Sequence, residues 1–415
     1  MKGKSGYKRF LLLWAGSMIS QIGSGLTGFG LGVYIYNRTG SAAQMALVTL
    51  LGFLPGLLLS VPAGVLADMF DRRILMIIGD GCSAFGIVYI LVCMNSGGAE
   101  LWQICAGVFV SSVFSILPEP AFKATLADLL TKDEYTKANG LISLAGSARY
   151  LISPALAGLL LSAYDIRLLL VIDVCTFFVT AAATAAVRKG MGTAKTGQRE
   201  SFAQSLREGW KAVYARKGVL RLILVSSVIS MFIGAIQVLC EPLVLSFADE
   251  MTLGIAETVC SLGMLVTALI TGITGIRKNH ARVLGGSLAM AGAFMICFAL
   301  KENIVLICIS GFLFFAMLPP ANSCLDYLAR TNIPDELQGR AWGFIGFLSQ
   351  MGYIPAFALA GVLADRASAA LHVTVGRGSA LVIGISGLLL ITVSVMTLFS
   401  WKIRRLESGA EMAAG

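Results

Sequence analysis

Charged residues are scarce in this sequence: they make up 13% of its 415 residues, whereas hydrophobic residues make up 57%. Soluble globular chains carry about a quarter of their residues as Asp, Glu, Lys or Arg, so the composition excludes a water-soluble fold. Many segments keep about 20 apolar residues together, the length that a helix needs to cross a hydrocarbon core of about 30 Å. The sequence therefore predicts an all-α membrane protein rather than a barrel, whose strands need only about ten alternating residues.

Patterns that bind metals or nucleotides are also missing. The two histidines, His280 and His372, are predicted on opposite membrane faces, and the nine cysteines form no CxxC pair. We therefore expect no metal, no cofactor and no disulfide framework. A GxxxxGK[ST] loop is absent, which excludes direct ATP coupling within this chain. Gly23, Gly25 and Gly28 satisfy GxGxxG, but no strand precedes them, so we expect these glycines to serve close helix packing.

The apolar stretches predict about twelve membrane helices, in two halves of six that a polar connector joins. The first half covers residues 1–187, the connector 188–218 and the second half 219–415. The predicted spans are 10–36, 42–67, 74–95, 100–125, 138–163, 167–187, 219–246, 252–275, 283–300, 303–327, 340–365 and 378–401.

The connector contains a segment with helical periodicity. Phe202, Leu206, Trp210 and Val213 recur at helical spacing in a basic stretch. This pattern predicts an amphipathic helix, which either lies on the lipid headgroups or packs on the protein's own loops.

The net charge of +9 indicates topology rather than nucleic-acid binding. Threading the spans with both termini on one face puts about 26 of the 32 Lys and Arg on that face, which is the pattern of cytoplasmic loops. Both termini are therefore expected to be cytoplasmic. The basic start resembles a signal peptide, but its apolar run continues well past the 7–15 residues of such a peptide, so we interpret it as the first membrane helix.

The two predicted halves retain a weak internal repeat where the fifth and eleventh spans begin. Two related six-helix halves are a plan of alternating-access transporters, which rock the halves around a central cavity. The aligned pairs are Pro118 with Pro319, Pro154 with Pro355, Gly158 with Gly361, and Arg149 with Gln350.

The loop after the second span reads GVLADMFDRR and resembles the loop 2–3 motif of the major facilitator superfamily. The resemblance rests on Gly64, Asp68, Arg72 and Arg73. It implies the major facilitator fold, with Asp68 as part of a conformational switch that latches the cytoplasmic helix ends. The alternative is that the loop only anchors a helix end with basic charges. In the second half Ile276 occupies the place of Asp68, so the latch is expected to be asymmetric.

The fifth span carries a second resemblance, to the antiporter motif of the same family. Gly140, Ser153, Pro154, Ala157 and Gly158 follow its spacing. The resemblance implies a span that packs tightly and bends. Together with loops such as DRRILMIIGD, it resembles the drug:proton antiporter branch, which includes macrolide and multidrug efflux proteins.

Three charged residues inside predicted spans are candidates for proton coupling. Arg149 falls near the midplane, where it either contacts a substrate or a titrating acid, or forms a structural ion pair. Asp80 and Glu119 are expected to be desolvated, and desolvation favours the protonated form of a carboxyl group. Other acids lie near span ends, where we expect them to act as anchors: Asp173, Glu241 and Asp326.

Polar amides supply candidates for a substrate cavity. Gln21, Gln237 and Gln350 lie in otherwise apolar spans and either line the cavity or form hydrogen bonds between helices.

The sequence thus predicts a secondary active transporter rather than an enzyme, since no acid, histidine or metal cluster is gathered at one face. The resemblance implies efflux of a hydrophobic or amphipathic, macrolide-like or multidrug-like molecule in exchange for protons. Export of a siderophore or lysolipid, or a non-transporting receptor, are the alternatives. The expected partners are the substrate, protons and the lipid bilayer of the plasma membrane, without nucleic acid, and we expect a monomer.

Overall fold

The computed structural model describes residues 4–188, 214, 217–333 and 335–407, and this part of the chain contains helices but no strands. The helices are α1 (Lys4–Thr39), α2 (Ala42–Met69), α3 (Arg72–Asn95), α4 (Leu101–Ser115), α5 (Pro118–Leu129), α6 (Lys132–Leu151), α7 (Ser153–Ala163), α8 (Ile166–Arg188), α9 (Lys217–Leu245), α10 (Glu250–Thr274), α11 (His280–Ala299), α12 (Ile304–Ala316), α13 (Leu318–Arg330), α14 (Asp335–Gln350), α15 (Tyr353–Leu371), α16 (Val375–Phe399) and α17 (Trp401–Glu407).

Within the described residues, 12 helical stretches are long and apolar enough to cross a membrane. This number and the all-α class confirm the fold predicted from composition. The predicted amphipathic helix through Phe202, Leu206, Trp210 and Val213 lies outside the described residues.

Several helices begin at residues that cap their free N–H groups, as helix starts require. Asp71 accepts the N–H of Arg73 at the start of α3, at 3.0 Å. At the start of α6, Thr131 and Glu134 form a capping box. The pKa of Glu134 is lowered, chiefly because its carboxylate accepts the backbone N–H of Thr131. Asn303 accepts two N–H groups at the start of α12.

Four of the twelve stretches are each built from two shorter helices. The breaks fall between α4 and α5, α6 and α7, α12 and α13, and α14 and α15. A proline lies at or just after the start of the second helix in every case, where its missing N–H costs no hydrogen bond. These prolines are the pairs aligned from the sequence: Pro118 with Pro319, and Pro154 with Pro355.

The chain divides into two compact units. Unit 1 contains the described residues 4–40, 47–188 and 249–255. In it α1 packs on α6 and α8, and α3 packs on α4, α5 and α8. Glycine permits the closest of these approaches: a Cβ on Gly86 would lie 2.3 Å from the carbonyl oxygen of Gly107.

Unit 2 contains residues 41–46, the described part of 199–248, and the described residues from 256 onwards. In it α11 packs on α16, and α9 packs on α15 and α16. The last helix, α17, is docked by Ile403 and Leu406, whose side chains are buried. Glu407 accepts the backbone N–H of His280 at 2.6 Å, which ties α17 to the start of α11.

Candidate functional site

An acidic side chain is buried inside unit 1. Asp173 lies on α8, seven residues after Ile166, which is about 10 Å along the helix. Its relative exposure is 1%. The expectation that Asp173 is a solvated anchor near a span end is therefore wrong.

Hydroxyl groups from two helices surround this carboxylate. Asp173 Oδ1 lies 3.4 Å from the Ser24 hydroxyl of α1 and 3.5 Å from the Thr176 hydroxyl of its own helix. Thr27 of α1 also contacts the carboxylate, although its hydroxyl has no partner at normal hydrogen-bond geometry among the described residues. Hydroxyls donate to a carboxylate and accept from a carboxylic acid, so the site accommodates both protonation states.

Arg149 supplies the positive charge of this site. It lies near the middle of the span Lys137–Ala163, and its charge acts on the Asp173 carboxylate. The Arg149 side chain is exposed. Arginines at this depth almost always face the bundle interior or a water-filled cavity, so we expect water or a polar ligand beside Arg149. This exposure favours a ligand contact or a partner for an acid over a buried structural ion pair.

Two glycines let α1 reach both charged groups. A Cβ on Gly23 would lie 2.4 Å from Thr176 Oγ1 and 2.9 Å from Asp173 Oδ1. A Cβ on Gly25 would lie 2.3 Å from Ser153 Oγ and 3.2 Å from Arg149 Cγ. The close packing expected of the GSGLTGFG segment thus holds at these two positions. A Cβ on Gly28, in contrast, would contact no atom of another helix within 4 Å. We define the Asp173 site as Asp173, Arg149, Ser24, Thr27 and Thr176.

The other two proton-coupling candidates differ in their surroundings. Asp80 on α3 is 5% exposed, and its Oδ2 has no hydrogen-bond partner among the described residues. Glu119 on α5 is 70% exposed at its side chain and pairs with Lys123 at 2.6 Å. The side chain of Glu119 is therefore not buried by protein, because the first turn of α5 presents it outward, and its part in proton coupling stays a prediction.

The predicted switch loop connects α2 to α3. Arg72 donates to the carbonyl oxygen of Ala124 at 2.9 Å and so joins the loop to α5. Gly64 has open space around it, and the Arg73 backbone is held by the α3 cap. The side chain of Asp68 lies outside the described ones, so its role as a switch stays a prediction.

The antiporter-like segment contains the break between α6 and α7. Ser153 is fully buried and donates to the carbonyl oxygen of Ile22 at 3.1 Å. Pro154 and Ala157 are buried as well. A Cβ on Gly158 would lie 2.5 Å from the carbonyl oxygen of Glu250, so this glycine permits close packing on α10 within unit 1. A Cβ on Gly140 would contact no atom of another helix within 4 Å.

The three glutamines proposed for a cavity occupy different environments. Gln21 is partly buried and donates to Ser17 on its own helix at 3.4 Å. Gln237 and Gln350 are exposed in unit 2. The structure does not join them to the Asp173 site by any hydrogen bond that the described residues form.

Unit 2 contains a pair of acids, Glu241 and Glu257. The expectation that Glu241 is a solvated anchor near a span end is wrong, and the sequence analysis did not name Glu257. Glu241 of α9 has a buried carboxylate oxygen without a hydrogen-bond partner among the described residues, and Glu257 of α10 is a titratable group close enough to interact with it. Each acid stands alone in an apolar stretch, so their proximity depends on how α9 and α10 pack. No group of His, Cys, Asp and Glu in the described part of the chain could hold a metal ion.

Comparisons with known proteins agree with this architecture. The sequence model of the Major Facilitator Superfamily matches residues 13–357. Macrolide efflux protein A of Streptococcus pyogenes is 26% identical over 370 residues, which are 86% of this chain and 90% of that protein. Multidrug efflux pump Tap of Mycobacterium bovis is 23% identical over 380 residues, 88% of each chain. The POT family transporter PepTSo superposes with a TM-score of 0.77 at 11% identity, over 97% of this chain and 98% of that one, which confirms the predicted fold.

The contacts of α1 predict that Gly23→Ala destabilises the protein, because the added methyl group overlaps Thr176 and Asp173. Overpacking of this kind costs about 1–3 kcal/mol. The apparent melting temperature of the purified protein in detergent should fall by several degrees. Gly28→Ala, on the same helix and in open space, is the matched control and should melt at or above the wild-type temperature, since Ala favours helix. Equal melting temperatures for the two variants would contradict the close approach of α1 to α8.

Proposed function

The chain belongs to the Major Facilitator Superfamily, and we propose that it expels a hydrophobic or amphipathic small molecule in exchange for protons. Members of this family are transporters, so the chain is a multi-pass membrane transporter and not an enzyme. The proposal of efflux is supported by relatives named as macrolide and multidrug efflux proteins.

The observation that carries proton coupling is the Asp173 site. A carboxylate 1% exposed inside a membrane helix, contacted only weakly by neutral hydroxyls, pays a desolvation penalty that protonation removes. The exposed Arg149 beside it favours the ionised form. A substrate that moves the positive charge of Arg149 closer to the carboxylate would therefore lower the proton affinity of Asp173 and release its proton. That linkage is what exchange of a proton for a substrate requires.

The remaining parts of the machinery are proposed from the sequence. Asp80 is a second proton-binding candidate because it is buried with an unpartnered oxygen. Glu119 remains a candidate for proton binding that mutation can test. The loop containing Gly64, Asp68, Arg72 and Arg73 serves as conformational switch, and the segment through Gly140, Ser153, Pro154, Ala157 and Gly158 as the bending span of an antiporter.

The substrate is proposed to be apolar or amphipathic because fixed charges inside the spans are few. Gln21, Gln237 and Gln350 would then provide polar contacts in the cavity. A siderophore or a lysolipid is the alternative substrate class, and a panel of macrolides, dyes, siderophores and lysolipids separates these classes.

The protein is proposed to act as a monomer in the plasma membrane with both termini in the cytoplasm. The excess of Lys and Arg in the loops on the terminal side supports this orientation. Epitope tags at the two ends should resist protease added to intact spheroplasts and be removed in inside-out vesicles. Cleavage of either tag in intact spheroplasts would overturn the orientation.

Proton coupling predicts a selective defect in Asp173→Asn. In proteoliposomes with an imposed pH gradient, this variant should lose at least tenfold in gradient-driven accumulation of a dye or macrolide, because its amide does not exchange a proton. Counterflow of labelled against unlabelled substrate, which needs no net proton movement, should persist. Arg149→Ala should also weaken the response to the gradient.

Asp165→Asn is the matched control, since Asp165 lies just before the same helix but is exposed. Its carboxylate accepts the backbone N–H of Arg167 at 3.2 Å, a bond that an asparagine oxygen can also accept, and lies 3.8 Å from the Arg167 side chain. It should behave as wild type. Asp80→Asn and Glu119→Gln belong in the same series. If Asp173→Asn keeps the wild-type response to the gradient, the Asp173 site does not carry coupling. A wild-type protein that binds substrate without counterflow would be a receptor.

A further inference from the structure

The first turn of α2 is capped by a carboxylate from a distant helix. Asp365 of α15 accepts the hydroxyl hydrogen of Ser41 at 2.6 Å. The same carboxylate accepts the backbone N–H of Ala42 at 3.0 Å and that of Ala43 at 3.1 Å. N–H groups at a helix start have no acceptor within the helix, and a negative charge there is favourable. Asp365 therefore satisfies three donors at a position where its charge is stabilised.

This cap is placed where α2 passes from one unit to the other. Residues 41–46 belong to unit 2, as Asp365 does, whereas α2 from Leu47 onwards belongs to unit 1. Gly361, one turn before Asp365, permits the contact: a Cβ there would lie 2.4 Å from the carbonyl oxygen of Ala42. The backbones of α15 and the first turn of α2 thus touch, and Asp365 holds the end of α2 in unit 2.

Each side of the contact has a further source of stabilisation besides the other side. The N–H of Gln44 donates to the Ser41 hydroxyl at 3.3 Å, so α2 carries a cap of its own. Asp365 is only partly buried, and water can solvate its charge after separation. Separation would therefore leave part of the α2 cap in place and expose Asp365 and the freed N–H groups to water, which suits a contact that opens and closes repeatedly.

The start of α10 provides an internal comparison. Its first residues, 250–255, belong to unit 1, and Gly158 packs against them as Gly361 packs against α2. Its cap, however, comes from the residue just before the helix: Asp249 accepts the N–H of Thr252 at 2.9 Å. The pKa of Asp249 is lowered, first by a hydrogen bond from the Thr252 side chain. The residue four after Gly158 is Ser162, which donates back to its own helix.

The segment that ends at Asp365 has a second copy in the sequence. The pentapeptide GVLAD occurs twice, at residues 64–68 and 361–365. The first copy lies in the loop motif of the family resemblance. In the second copy, Asp365 is the residue that caps another helix.

We propose that Asp365 is a releasable cap, which holds the first turn of α2 in unit 2 in one conformation and lets it go in another. In this inference Asp365 positions α2 and touches no substrate. The link to a transport cycle rests on the proposed function, but the release of the cap itself does not.

Hydrogen–deuterium exchange of the full-length protein in nanodiscs tests the cap directly. In the wild type, a peptide spanning residues 41–50 should show two exchanging populations, one protected and one released. Asp365→Ala should shift it to the released population and speed exchange at Ala42 and Ala43 roughly tenfold, the effect of losing a helix cap. Asp249→Ala, the matched control, should change exchange at Thr252 and leave residues 41–50 unchanged.

Counterflow of substrate through proteoliposomes tests whether release matters. Asp365→Ala should change the counterflow rate at least threefold, and Asp249→Ala should not. Unchanged exchange at residues 41–50 in Asp365→Ala overturns the cap. If exchange is faster in Asp365→Ala but counterflow is unaltered, Asp365 is a static cap and its release is overturned. The same conclusion follows if the wild type shows a single protected population. If the wild type shows no counterflow, the proposed function fails, while the exchange pattern still decides the cap.

Discussion

The cost of placing charge in hydrocarbon governs this molecule. With 13% charged residues, the chain keeps nearly all of them at the membrane faces, so each charged group left within a span has to be hydrated, paired or protonated. Asp173 and Arg149 meet that requirement differently. The acid is buried among hydroxyls, and the arginine is exposed beside it. Among the described residues neither group forms a tight ion pair, and a group held in this way can respond to a ligand.

Close packing of glycine makes that arrangement possible. Gly23 brings α1 against the acid, and Gly25 brings it against Ser153 and the stem of Arg149. The chemistry of the site is therefore tied to the packing of three helix segments, and a shift of α1 changes the surroundings of both charges together. In the proposed exchange, this tie between charge state and packing would allow one proton to bias a conformational equilibrium.

The two units share a plan but differ in their polar groups. Both break two of their spans at proline, at positions that align in the repeat. Unit 1 carries an acid with an arginine, whereas unit 2 carries Glu241 beside Glu257. The starts of α2 and α10 are packed against equivalent glycines, yet only α2 is capped from another helix. The two halves thus share the positions of their helix breaks and close-packed glycines, and they differ in the polar residues that these helices carry.

The number and order of the membrane helices could be predicted from the sequence, because span length and apolar character follow directly from bilayer thickness. The helix breaks were accessible too, since proline lacks the N–H. The environment of each side chain, in contrast, could not be predicted from span length or proline position. Asp173 was misplaced because distance from a span end was used as a measure of solvation, whereas Ser24 and Thr27, three residues apart on α1, were the available signal of a polar face. Glu257 gives no local signal, and the exposure of Glu119 depends on the direction of the helix after Pro118, which the sequence does not define.

Proton release on substrate binding tests the central claim most directly. Purified protein in weakly buffered detergent would be titrated with a dye or macrolide that it binds, and a pH indicator would count the protons released. The account predicts about one proton released per substrate bound by the wild type and none by Asp173→Asn at equal occupancy. Equal proton release from both proteins would contradict it.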